Sequence, residues 1–153
     1  MTTEVKPTDE THGYHFRESK QLYNGVTVHR VIYAGNLKGG WVEGPYNVGG
    51  WIQSTRNLVP GGRVLDDAIV HGNAVISEYA TVAGNAEVKG NAKVCEFATV
   101  FENATVGDNA TICGHARVFG NAYVYGYTVV GGIADVAKNA FHAGYKMIGT
   151  KPR

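Results

Sequence analysis

From residue 68 onward, small and aliphatic positions recur every six residues. Small residues stand at Ala68, Ala74, Ala80, Ala86, Ala92, Ala98, Ala104, Ala110, Ala116, Ala122, Thr128, Ala134 and Ala140, and an aliphatic residue follows two places later from Val70 to Val136. Only His142 breaks the second column. Helical faces repeat about every 3.6 residues and strand faces every two, so neither element alone accounts for the pattern. Residues two apart share one face of a strand, and the pair that closes each unit is drawn mainly from Gly, Glu, Asp and Asn, which favour turns and left-handed backbone angles. Each unit therefore predicts a short strand followed by a corner. One straight strand of this length lies far outside normal dimensions, so the chain must bend at every corner and stack on itself.

Ahead of the repeat, "KQLYNGVTVHRVIYA" places Asn24-Gly25 between apolar, β-branched runs, which predicts a hairpin with a type I′ turn. A short duplication with an offset of ten follows. Gly39-Gly40-Trp41-Val42 with Asn47-Val48 is echoed by Gly49-Gly50-Trp51-Ile52 with Asn57-Leu58. Glycine pairs beside a large ring suit a tight bend with the ring folded over it, as in a structural cap. The expected organisation is a flexible arm over 1–13, a hairpin and GGW cap over 14–63, the repeat over 64–142, and a tail over 143–153 that covers the last coil.

The stretch "VGDNATICGHARV" resembles the hexapeptide repeat of left-handed parallel β-helices. The resemblance implies an all-β fold in which three units make one triangular coil, about four coils in all, and it is the source of both the three-sidedness and the hand. The GGW cap leading into GNA-x-V units resembles a group of phage and prophage hexapeptide-repeat proteins, some of whose bacterial relatives are described as acyltransferases.

With three units per coil, residues eighteen apart become vertical neighbours at the ~4.8 Å spacing of adjacent strands. One corner then stacks Asn85, Asn103, Asn121 and Asn139; a second stacks Asn73, Asn91, Asn109 and Tyr127; the third stacks Tyr79, Phe97, His115 and Ile133. The side after the third corner shows Phe101 and Phe119, and the remaining side turns aromatic at Tyr123, Tyr125 and Phe141. A contiguous apolar patch on a polar chain marks an interface. Self-association is expected through Tyr79, Phe97, His115, Phe101 and Phe119, as a homotrimer because the resembled proteins commonly trimerise.

Composition narrows the chemistry. The 153 residues carry a formal net charge of +1 without a basic run, which leaves no electrostatic footprint for nucleic acid or a membrane surface. The polar start and the lack of a long apolar run predict an intracellular protein, and the resemblance to phage and prophage proteins implies the cytoplasm of a bacterial host. Cys95 and Cys113, in no CxxC pair, are read as reduced apolar surface. His71, His115 and His142 occupy three different positions within the six-residue unit, which argues against the three-histidine zinc site of γ-class carbonic anhydrases. No metal or cofactor is expected.

The expected function is that of a non-enzymatic, oligomeric interaction protein of phage or prophage type, binding a host protein, for example one of a defence system, or a virion component. The alternative is a small-molecule site between protomers, acyltransferase-like with His115 as base, or a trap for a nucleotide-like ligand, drawing on His115, Arg117, Tyr123 and Tyr125.

Overall fold

The computed structural model describes residues 13–33 and 48–149. The expected arm up to residue 12, the first GGW element at Gly39–Val42 and the last four residues lie outside the described residues.

Two antiparallel strands, β1 (Tyr14–Gln21) and β2 (Thr27–Tyr33), form the expected hairpin. Its loop departs from type I′. The Gly25 N–H donates to the Leu22 carbonyl, and of the loop residues only Gly25 has positive φ, at 86°. Asn24 stays outside the left-handed region and instead accepts the Val26 N–H on its side-chain oxygen at 3.1 Å. This is a three-residue loop with a glycine bulge.

Next, β3 (Val48–Ile52) pairs antiparallel with β2 and parallel with Ile69–Val70, so the hairpin is an extension of one side of a coil. Beyond it, two-residue strands run from Arg63–Val64 to Met147–Ile148, every pair parallel and eighteen residues apart. The first side carries Ile69, Glu87, Thr105, Tyr123 and Phe141 outward. The second carries Val75, Lys93, Thr111, Val129 and Met147, and the third Arg63, Thr81, Thr99, Arg117 and Asp135. The protein is a parallel β-helix of about five turns, each of the last two sides having five strands. The extra turn arises at the cap, where Ile52, Leu58 and Val64 already keep the sixfold spacing, and the far end extends to Ile148. Residues 143–149 thus continue the helix.

The core is the pair of columns read from the sequence. Ala68 to Ala122 and Val64 to Val130 are fully buried, with Val136 nearly so. Each valine so enclosed contributes about 1.5–3 kcal/mol of transfer free energy.

The cap supplies partners that a missing coil would have supplied. The Tyr33 hydroxyl donates to the Val64 carbonyl at 3.0 Å and accepts the Val64 N–H at 2.7 Å. Buried Asn57 donates to the Gly72 and Ala74 carbonyls at 3.1 and 2.8 Å and accepts from Gln53 and Ser54 N–H. Gly49 is required because a Cβ there would lie 2.6 Å from the Tyr33 ring, and Gly50 because one would meet the Ala68 carbonyl at 2.6 Å. Trp51 is buried, with the Lys20 ammonium and the Arg30 guanidinium each 4.2 Å from its ring centre.

Candidate functional site

Every sixth residue from Asp66 to Gly144 has φ between 53° and 85°. These left-handed corners fall on the first member of each turn pair, a Gly, Glu or Asp and once Lys138, and the Asn or other residue that follows does not share the conformation. Where an acidic corner residue sits one coil before a glycine, its carboxylate accepts that glycine's N–H. Asp66 bonds Gly84 at 2.9 Å, Glu96 bonds Gly114 at 3.1 Å, Glu102 bonds Gly120 at 3.2 Å and Asp108 bonds Gly126 at 3.0 Å.

On this backbone the three corners carry different chemistry. Asn73, Asn91 and Asn109 form an amide ladder with bonds of 3.2 and 3.3 Å. Asn85, Asn103, Asn121 and Asn139 keep the same register, yet no amide-to-amide bond joins them among the described residues. The third corner stacks rings. Tyr79 and Phe97 lie 5.2 Å apart at 9°, Phe97 and His115 4.9 Å apart at 2°. On the adjoining third side Phe101 and Phe119 stack at 4.9 Å, with the Arg117 guanidinium 5.3 Å from the Phe119 ring. All five residues expected at an interface therefore share one side and its leading corner.

The four residues expected around a ligand are not brought together within one chain. His115 stands in the ring column. Arg117, on the third side, is held by both carboxylate oxygens of Asp135 at 2.9 and 2.7 Å. Tyr123 and Tyr125 lie beyond the next corner on the first side, where they pack on each other and on Phe141 at 6.0–6.4 Å. A second exposed ring pair, Tyr127 and Tyr145, stacks at 4.8 Å above the amide ladder.

Both cysteines are free and sit inertly on the second side. Burial pushes the Cys95 thiol up to about 11, with Cys113 adding to the effect, and raises Cys113 as well. Among the described residues no group of three or more His, Cys, Asp or Glu side chains is placed to hold a metal ion.

One polar cluster is absent from the sequence columns. His71, only 5% exposed, meets Glu87 through Nε2 and Oε2 at 2.7 Å, and the Lys89 ammonium lies 3.8 Å from Glu87 Oε1. The hydrogen bond to His71 holds the Glu87 carboxyl below its usual range against the opposing effect of burial. His71 and Glu87 are sixteen residues apart, diagonal neighbours on adjoining coils, so a comparison at an offset of eighteen passes over them. The diagonal offset was the signal that could have found the pair.

Comparison of the chain with protein-family models, curated proteins and solved structures finds no match. No helix among the described residues is long and apolar enough to cross a membrane.

Proposed function

We propose that the chain is a non-enzymatic interaction protein that works as a homotrimer, each copy packing its ring corner and third side on a second copy. The supporting observation is the pair of parallel ring stacks, Tyr79–Phe97–His115 and Phe101–Phe119, on one side and its bordering corner, with Tyr79 and Phe97 left 69% and 53% exposed. Apolar surface arranged in two adjoining stacks, rather than scattered singly, favours an interface. Resemblance to phage and prophage hexapeptide-repeat proteins points to a host or virion protein in the bacterial cytoplasm as the outside partner. It would be met by the cap and by the Tyr123, Tyr125 and Phe141 cluster on the first side. A stack of rigid repeats suits such work because it offers an extended, preorganised face.

An acyltransferase with His115 as base, or a ligand trap between protomers, has less support. His115 is engaged in a ring stack, Arg117 is neutralised by Asp135, and the strand register runs from Val64 to Ile148 without an inserted loop to wall a donor channel.

Native mass spectrometry tests the proposal. The unchanged chain of 16.4 kDa should run as a species of three times that mass, and the double variant Phe97→Ala, Phe119→Ala should run as a monomer with an unchanged circular-dichroism spectrum. A monomeric unchanged chain, or a double variant that still assembles, overturns it.

A further inference from the structure

The ring column stops abruptly at its cap end. One coil before Tyr79, the equivalent position is Gly61, as the flanking pairs Leu58 with Ile76 and Arg63 with Thr81 establish. At the two following turns of this corner the left-handed residue is Glu78 and then Glu96. Here its place is taken by Pro60, whose ring restricts φ to about −65°, so the positive angle moves one residue on to Gly61, at 101°. A Cβ built on Gly61 would collide with the Glu78 carbonyl. No side chain can therefore continue the column from this position.

What lies beyond the Tyr79 ring is a cleft of about 640 Å³ between the hairpin and the first coil. Tyr14, Tyr33 and Thr81 line it, and so does Arg63. The Tyr33 hydroxyl is already committed to Val64, while the Arg63 side chain makes no hydrogen bond or ion pair among the described residues. The cleft thus combines an aromatic platform with a guanidinium that is unpaired among the described residues, and its volume suits a small molecule.

We infer that this cleft binds a planar aromatic ring bearing an anionic group, phosphate or carboxylate, with the ring stacked on Tyr79 in the place that Gly61 leaves vacant and the anion on Arg63. Ring stacking and a charge-assisted bond to guanidinium are the two interactions the walls provide. The site lies within one chain and does not depend on the trimer.

Titration calorimetry with adenosine 5′-monophosphate and with indole-3-acetate separates the two sources of the anion. At least one of the two should bind, and Tyr79→Ala and Arg63→Gln should each weaken it by about tenfold or more, as expected for losing a stacked ring or a charged hydrogen bond. Uncharged adenosine should bind at least about tenfold more weakly than its monophosphate if the phosphate is the anion recognised. Phe119→Ala removes part of the proposed trimer contact without touching Tyr79, since Phe119 stacks on Phe101, and should leave affinity within about twofold because substitutions away from a site couple weakly to it. Absence of binding by both anions at millimolar concentration overturns the inference. So does unchanged affinity in both Tyr79→Ala and Arg63→Gln, or a loss in Phe119→Ala equal to that in Tyr79→Ala, which would assign the effect to assembly.

Discussion

The corner that carries Asn73, Asn91 and Asn109 and the corner that carries Tyr79, Phe97 and His115 share one backbone. Both place a left-handed residue immediately before the stacked side chain, and both repeat at the spacing of parallel strands. In the first, amides bond coil to coil and satisfy one another, leaving a polar edge that needs no partner. In the second, the side chains stack as rings with no hydrogen bond between them, and much of their apolar area stays in water. The difference shows that the fold fixes the ladder but not its chemistry. One ladder closes the surface, and the other leaves it available for association or for a ring-shaped ligand.

The strongest way to break the comparison is through the backbone that the two corners share. Gly90, with φ 68°, leads the amide corner, and a Cβ there would lie 2.8 Å from the Asp108 nitrogen. Gly90→Val should cost about 2–3 kcal/mol, since a β-branched residue is forced into the left-handed region against a close neighbour. Glu96→Gly at the ring corner should change stability by no more than about 1 kcal/mol, because Glu96 already tolerates φ 59° and glycine removes that strain while losing one bond. Equal urea midpoints for the two variants would show that the corners do not share a conformational requirement.

A smaller effect sharpens the contrast in chemistry. Asn91→Ala removes both amide bonds of the ladder, to Asn73 and to Asn109, and should cost about 1 kcal/mol at an exposed edge without altering the mass of the assembly. If light scattering showed this variant dissociating, the amide corner rather than the ring corner would be the contact surface.

The smallest effect tests the bond beneath the rings. Glu96→Gln keeps the side chain but weakens its acceptance of the Gly114 N–H, and should shift stability by only about 0.5 kcal/mol. A thermal shift as large as that of Gly90→Val would mean that the carboxylate organises the ring stack.

The two repeating columns were legible because burial imposes them directly: a six-residue unit with Ala and Val on one strand face has only one way to hide both. The stacking of Phe101 on Phe119 and of Tyr79 on Phe97 followed from the same spacing once three units made a turn. The hairpin turn was misjudged because Asn24-Gly25 fits more than one loop, and the bond from Gly25 to Leu22 selected the bulged form. Four coils became about five because Ile52, Leu58 and Val64 already belong to the helix although the alanine column begins only at Ala68. Sequence columns also missed the His71–Glu87 pair and the cleft beside Tyr79. Both join residues at offsets other than eighteen, and the cleft adds a hairpin whose docking no repeat encodes.

The period in the sequence accounts for the stacked strands and the buried columns, because strict spacing leaves local burial no alternative. The vertical ladders also needed three units per turn, and of the two asparagine columns only Asn73–Asn91–Asn109 forms amide bonds among the described residues. Only the tertiary structure decided which turn residue takes the left-handed angle, how Tyr33 and Asn57 satisfy the first coil, and where a column is interrupted. Those outcomes depend on close approach between segments distant in the chain, where a few tenths of an ångström determine whether a side chain, a hydrogen bond or an open space results.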